Sequence, residues 1–433
     1  MSIADFSGRM RPDACPGALQ VHEAADGPLA RVRLPGGAIS PARLRELAAC
    51  AVDLGSDVIE LTSRANVQVR GMRSPAAFAE RIAAAGLLPS QAHERVRNIV
   101  ASPLGGRTGP GLLDPQPLVA ALDRALCSRP RLAGLPGRFL FAVDEGSGDM
   151  LALGADVTFF DGRLLLAGVD AGFAVGADVA AELMIAAAEA FLDERPEGDR
   201  GAWRIAELDN GPARIATRLR TTTAPRDRTG AADRAADARS EHQPHAGPAP
   251  DTEMWAPPAP VVRDTVSAPR AGRVEQRDGR VALEVVVPLG RLSAAQARAI
   301  AAAAEANGPA GTSGAPGPGD ATGVPVRLTP WRTVVLLDLP PAAAGRAARM
   351  LEAAGLVTDP ASPWGGVSAC TGRPGCAKSL ADVQEDARRW VATLDGPPAT
   401  PVHWAGCERR CGLPRGRVVQ MVATGDGYQE RHQ

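Results

Sequence analysis

The chain has 433 residues, 45% of them hydrophobic, with 48 basic against 49 acidic side chains. A formal charge of −1 excludes a globally basic nucleic-acid binder, and an aromatic content of 3% disfavours a base-stacking platform. The length suits about three domains or two larger ones, with core enough to need no disulfide scaffold. The 47 Gly and 38 Pro residues argue for long loops and at least one unstructured stretch. Lys378 is the only lysine, so a mechanism that needs a cluster of lysines is excluded.

In chain order, Met1 to Arg11 is polar and lacks the apolar core of a secretory signal. Leu29 to Leu34 alternates as a strand does. Ser40-Pro41 reads as N-cap and first helical residue, and Leu44, Leu47, Ala48, Ala51 and Leu54 share one helical face, with Gly55 as the C′ residue. Val58 to Leu61 and Val67 to Val69 are extended, joined by a turn at Arg64-Ala65-Asn66. Val157 to Phe160, Asp161-Gly162 and Arg163 to Leu166 spell a hairpin. The apolar region Leu164 to Leu192 is interrupted by Asp170, Asp178 and Glu182, so it reads as a strand and a core helix, not a membrane span. A cytoplasmic protein is expected, with neither membrane nor nucleic acid as a partner.

The same order returns later. Val281 to Val287 is strand-like, Ser293 caps a helix through Ala304, and Pro325 to Leu328 and Val334 to Leu337 are extended. Leu61-Thr62 opens the first turn and Leu328-Thr329 the second. A hexamer, Ala101-Ser102-Pro103-Leu104-Gly105-Gly106, also matches Ala361-Ser362-Pro363-Trp364-Gly365-Gly366. Together these predict an internal duplication with a period of roughly 260 residues. Between the halves, Thr222 to Arg273 reads as a flexible linker, and Asn307 to Gly323 as a disordered Gly/Pro/Ala-rich loop.

Four of the seven cysteines are clustered as Cys370-x5-Cys376 and Cys407-x3-Cys411. Grouped cysteines in a reducing compartment bind metal more readily than they pair. Zinc sites prefer two to four intervening residues, so the wide first gap favours an iron–sulfur cube over zinc. Gly372, Pro374, Gly375, Gly406 and Gly412 let backbone bend around such a cluster. Cys50 and Cys127 lie in helical runs and read as small buried residues. Cys15 has no partner nearby, and its role is not read.

Arginines form a second group. Arg64, Arg70, Arg97 and Arg138 fall near predicted strand ends of the first half, Arg64 and Arg97 being accompanied by Asn66 and Asn98. Together they suit a cleft for a polyanion, because guanidinium forks pair with carboxylates and stay charged when desolvated. Histidine offers no spacing typical of a mononuclear iron site, and His403 stands near enough to Cys407 to brace a cluster. Gly105 to Gly111 lacks the glycine pattern of a nucleotide fingerprint, so electrons are expected from another protein.

The cysteine pattern resembles the cluster motif of the sirohaem nitrite and sulfite reductases. Leu61-Thr62-Ser63-Arg64-Ala65-Asn66-Val67-Gln68-Val69-Arg70-Gly71 resembles the family's first ferredoxin-like half, and Arg97-Asn98 its second arginine turn. The resemblance implies an α+β, internally duplicated fold: two ferredoxin-like half-domains and two α/β domains with pseudo-twofold symmetry. The boundaries expected are 1–90 for the N-terminal segment and first half-domain, 91–221 for an α/β domain lacking cluster cysteines, 222–273 for the linker, 274–357 for the second half-domain and 358–433 for the cluster-binding domain. Within the family the chain is most similar to the branch that makes precorrin-3B in cobalamin biosynthesis, through Cys15-Pro16-Gly17 ahead of Asp26-Gly27, Gly137-Arg138-Phe139 with Asp144, and Leu328-Thr329-Pro330-Trp331-Arg332.

That branch implies a 4Fe-4S cluster on Cys370, Cys376, Cys407 and Cys411, and a mononuclear non-haem iron whose ligands the sequence does not assign. It implies oxidation of precorrin-3A by molecular oxygen, with hydroxylation and lactone formation, and an external reductase using NAD(P)H as electron donor. Arg64, Asn66, Arg70, Arg97, Asn98 and Arg138 would meet the carboxylates of the tetrapyrrole; no catalytic residue is assigned. The alternative is a sirohaem-dependent nitrite or sulfite reductase. Those enzymes carry a Lys-x-Lys pair where this chain has Arg138 and Leu140, and arginine is a poor proton donor. A non-catalytic electron carrier or a zinc scaffold is the third reading.

Overall fold

Ser40 and Ser293 begin equivalent helices in the two halves of the chain. The Ser40 hydroxyl oxygen accepts the Arg43 amide, and Ser293 forms a reciprocal capping box with Gln296. Each serine follows a tight left-handed turn, Pro35-Gly36-Gly37 in one half and Pro288-Leu289-Gly290 in the other. At Gly37 the glycine is needed for space, since a Cβ would stand 2.0 Å from the Leu328 carbonyl oxygen. The computed structural model describes residues 13, 15–109, 111, 113–195, 201–223, 271–308 and 323–433.

The first half opens with β1 (His22–Ala24), β2 (Gly27–Val32), β3 (Ala38–Ile39), α1 (Pro41–Leu54), β4 (Val58–Leu61), β5 (Val67–Val69) and α2 (Pro75–Ala84). It continues with β6 (Ile99–Ala101), α3 (Pro115–Cys127), β7 (Phe141–Asp144), β8 (Val157–Phe160), β9 (Arg163–Leu166), β10 (Val169–Ala174), α4 (Ala177–Glu194) and α5 (Gly211–Thr223). The second half has β11 (Gly272–Glu275), β12 (Val281–Val286), β13 (Arg291–Ser293), α6 (Ala294–Glu305), β14 (Val326–Leu328), β15 (Thr333–Leu339) and α7 (Pro341–Ala353). It ends with β16 (Val367–Ala369), α8 (Val383–Val391), β17 (Val402–Ala405), β18 (Val419–Thr424) and β19 (Gly427–His432).

Two five-stranded sheets exchange their edges. One runs β1-β2-β5-β4-β13 and the other β11-β12-β15-β14-β3. Each half therefore donates its short post-turn strand to the other half's sheet: Leu292 pairs with Ile59, and Ile39 with Val326. Leu44, Leu47 and Ala48 of α1 and Ile300 and Ala301 of α6 are buried in one core that both sheets share. Beyond this unit lie two sheets of matching plan. In β10-β9-β8-β7-β6, strands β6, β7 and β8 are parallel; in β16-β17-β18-β19, strands β16, β17 and β18 are parallel.

This arrangement corrects two expectations. The hexamer repeat is not structural: Ala101 ends β6, whereas Ala361 to Gly366 lies ahead of β16. A Gly/Pro-rich composition produces such matches by chance, and the true equivalence runs through Thr62 and Thr329. Gly55 is not a left-handed cap, its φ being −127°. It is small because a Cβ there would stand 2.6 Å from Val69 Cγ1. The Asp161-Gly162 hairpin is present, with φ of 42° and 78° as its turn type requires. The linker read at 222–273 begins inside the end of α5 and closes inside β11; residues 224–270 of it, and 309–322 of the loop read at 307–323, lie outside the described residues. Among the described residues no helix is long and apolar enough to cross a membrane.

Candidate tetrapyrrole and cluster site

Cys370 directly follows β16 and Cys407 lies just past β17, so neighbouring parallel strands deliver one thiol from each pair to the same sheet edge. The Gly406 amide donates to Cys370 Sγ at 3.2 Å, and burial raises the Cys370 thiol above its ordinary value while that amide opposes the shift. Cys376 is held by its own amide on the Gly372 carbonyl at 2.8 Å. Gly406 must lack a side chain, for a Cβ would fall 1.9 Å from Ser379 Oγ. Among the described residues no three cysteine sulfurs lie within 4.8 Å of one another. Tetrahedral zinc with bonds of about 2.3 Å would draw its sulfurs to within about 3.8 Å, a spacing that no three of these sulfurs have. His403 is fully buried on β17, with Nδ1 2.9 Å from Ser368 Oγ.

The cleft beside these loops has about 1310 Å³ of empty space, its open mouth included. Ser63 and Arg64 reach it from the β4–β5 turn, Trp331 and Arg332 from the equivalent β14–β15 turn, and Gly412 to Arg415 from the loop after Cys411. A second basin shares Ser63, Arg332 and Gly412 with it and reaches Cys370 and Cys411. A third shares Arg64 and is lined by Cys15, Arg31, Asn66, Arg138 and Arg204. The three spaces run from Cys370 and Cys411 to an arginine-rich end.

The Arg64 guanidinium donates to the carbonyls of Gly137 at 3.1 Å and Arg138 at 2.9 Å. Burial, with Arg204 nearby, pushes it down to about 10. Among the described residues no carboxylate pairs with it. Asn66 is buried, accepting the Leu34 amide at 2.8 Å and facing Asn98, whose Nδ2 donates to the Gly137 carbonyl at 2.9 Å. These two amides brace the turn carrying Arg138, which is exposed and lies 5.0 Å over the Trp203 ring.

Three of the six residues expected at the tetrapyrrole line none of the three spaces: Asn98, buried behind the Arg138 turn, and two arginines. Arg97 is buried against α3, forked onto Asp123 at 2.8 and 2.7 Å, and lines none of the three spaces. Arg70 is forked onto Asp26 and donates to the Gly375 carbonyl, beneath the cluster loop. Sequence reading missed Arg31, Arg204, Arg332 and Arg415. Burial lowers Arg332, which donates to the Gly412 carbonyl at 3.0 Å. Gly290 leaves it room, since a Cβ there would meet Arg332 Cδ at 2.5 Å. The repeated Leu-Thr turn was the available signal for Arg332, because it takes the place of Ala65, with φ of 62° against 55°.

Residues 22–77 and 274–314 match the nitrite/sulfite reductase ferredoxin-like half domain. The chain is 27% identical to a precorrin-3B synthase of Sinorhizobium sp over 97% of its own length and 82% of that protein's. It is also 27% identical to sulfite reductase (ferredoxin) 2 of Mycolicibacterium paratuberculosis, over 92% of this chain and 70% of the relative. With the ferredoxin–nitrite reductase of Synechococcus elongatus identity is 25%, over 92% and 76%. The solved structure of the Mycobacterium tuberculosis NirA protein superposes with a TM-score of 0.68 at 23% identity, covering 94% of this chain and 73% of that one. The chain has the nitrite/sulfite reductase fold, carries that family's ferredoxin-like half domain in each half, and has oxidoreductases for relatives.

Proposed function

We propose that this chain is an oxygen-dependent precorrin-3B synthase, which oxidises precorrin-3A by hydroxylation and lactone formation. One oxygen atom enters the substrate and the other leaves as water, with two electrons drawn from an external NAD(P)H-using reductase. The cytoplasm, where such a donor operates, is the proposed location. Cys370, Cys376, Cys407 and Cys411 would hold a 4Fe-4S cluster, which relays those electrons when bound. Arg64 and Arg138 would meet the carboxylate rim of the macrocycle, with Asn66 and Asn98 fixing their turn. Leu140, Leu289 and Trp331 give the cleft an apolar lining for the ring. A mononuclear iron, which would supply oxygen activation when bound, is the remaining cofactor of this reading.

The observation that carries this reading is Leu140. Its side chain lines the cleft and is 3% exposed. Reduction of nitrite or sulfite needs several protons delivered to a small anion, and an isobutyl group supplies none. Lys378, the only lysine, belongs to the loop after Cys376 and lines none of the three spaces.

The second reading is a sirohaem-dependent nitrite or sulfite reductase, supported by relatives as similar as the synthase. Sirohaem would then be a resident cofactor in the same cleft. The deciding experiment incubates the purified protein anaerobically with precorrin-3A, admits oxygen and weighs the product. Gain of one oxygen atom is expected. Unchanged precorrin-3A, together with stoichiometric sirohaem and nitrite or sulfite consumption, would overturn the proposal.

A further inference from the structure

Three carboxyl groups converge where β7 ends. Asp144 is the last residue of that strand, Glu145 follows it, and Asp149 lies in the next loop; one oxygen of each lies within 4.8 Å of the others. Asp144 is fully buried, and its oxygens accept the amides of Gly146, Gly148 and Met150 at 2.9 Å each. Asp149 accepts the Ser102 hydroxyl at 2.6 Å and faces the cleft. Among the described residues no arginine pairs with any of the three.

Two further observations separate this group from an ordinary acidic patch. Glu145 is 4% exposed, and its Oε2 is buried with no hydrogen-bond partner. A carboxylate oxygen stripped of water and left bare is costly, so something must neutralise it. The second observation is position. Ser102 follows β6 as Cys370 follows β16, and Glu145 follows β7 as Gly406 follows β17. The carboxylates therefore stand at the sheet edge that carries the thiols in the other half, and the C-terminal edge of parallel strands is where such sheets bind ligands.

We infer that Asp144, Glu145 and Asp149 bind one hard divalent cation, of the magnesium, manganese or calcium class, at the edge of the cleft, with Ser102 orienting Asp149. The donors are all oxygen, without thiol or imidazole, which selects hard cations over zinc or copper. The side facing the cleft leaves positions for water or an oxygen of a bound molecule. Three carboxylates gathered this closely repel one another, and a bound cation relieves that repulsion. A proton held among the carboxyls is the competing neutraliser. The inference does not rest on the choice between synthase and reductase.

The test titrates Mn2+ into the full-length, cluster-loaded protein and follows the loss of the free-ion electron paramagnetic resonance signal. One Mn2+ per chain is expected, competed by Mg2+ or Ca2+. Glu145→Gln and Asp149→Asn should each weaken binding at least tenfold while the cluster's visible absorbance stays. Spin-echo spectra of the wild-type complex should show no directly bound nitrogen, a result that needs no variant to fold. An undiminished free signal, wild-type affinity in both variants, or a coordinated imidazole would overturn the site and leave the carboxyls neutralised by a proton.

Discussion

Arg70 and Gly375 are joined by a hydrogen bond from Nη2 to the carbonyl oxygen, at 2.6 Å, across 305 residues of sequence. The same guanidinium is forked onto Asp26 at 2.8 Å through both arms. A Cβ on Gly375 would stand 2.9 Å from Asp26 Oδ2, so the loop between Cys370 and Cys376 is moulded on this ion pair. The first ferredoxin-like half thus shapes a cysteine loop that belongs to the second half of the chain.

Arg70→Met keeps the volume but leaves Asp26 and the Gly375 carbonyl without their donor. Removing one partner of a buried pair costs about 3–5 kcal/mol, and partial exposure of Asp26 places the expected loss near the lower end. Chemical denaturation should show a lower midpoint, and iron content after desalting should fall. Wild-type values for both would mean that the contact contributes nothing to the loop.

Gly406→Ala tests the packing between the two cysteine loops. The new methyl would collide with Ser379 Oγ and approach Ser379 Cβ to 2.8 Å. Overpacking of this kind costs about 1–3 kcal/mol, and here it moves the amide that donates to Cys370 Sγ. Iron and sulfide loading should drop in Gly406→Ala and recover in part when Ser379→Gly is added. A single variant that loads its cluster fully would show that the loops separate without harm.

The Thr62 and Thr329 turns explain what the sequence made legible. Thr62 Oγ1 accepts the amides of Arg64 and Asn66 at 3.3 and 3.1 Å. Thr329 Oγ1 accepts those of Trp331 and Thr333, both at 3.2 Å. A local motif of this kind leaves a local signature, so the Leu-Thr repeat exposed the duplication, and the cysteine spacing singled out the two loops that follow β16 and β17. The strand exchange left none, because two-residue β3 and short β13 pair with strands far away in sequence. Arg97 was misplaced for the same reason: its partner Asp123 sits on a helix face whose direction no spacing reveals. Glu145 and Asp149 went unread because an acidic pair becomes a site only when strand ends converge.

Arg107 and Asp338 tie the loop after β6 to the end of β15 with bonds of 2.8 and 2.9 Å. Burial raises the Asp338 carboxyl, but Arg107 and Gln276 outweigh it and hold the carboxyl below its ordinary value. The folded state therefore keeps this group ionised at pH values where the unfolded chain has begun to take up a proton. The pair's stabilisation is fully present above the unfolded value of about 3.9 and is lost as pH falls through the lower folded value. Asp338→Asn should cost about 1.5–3 kcal/mol at neutral pH, and the gap from wild type should shrink in denaturation curves below about pH 4. A gap that stays constant into acid would show that the carboxylate's charge is not what stabilises the contact.

Arg64 and Arg97 separate binding from stability. Both are arginines beside an asparagine, yet Arg97 is satisfied by Asp123 while Arg64 touches only carbonyl oxygens and faces the cleft. An arginine without an anion is available to a carboxylated ligand; one already forked is not. Arg64→Ala should weaken binding of a polycarboxylated tetrapyrrole, measured by absorbance titration, by about 1.5–3 kcal/mol for a lost charged hydrogen bond. Arg97→Ala should leave that affinity within about twofold and lower the denaturation midpoint, because Asp123 is stranded. The reverse pattern, affinity lost at Arg97 and kept at Arg64, would move the carboxylate-binding end of the cleft away from the β4–β5 turn.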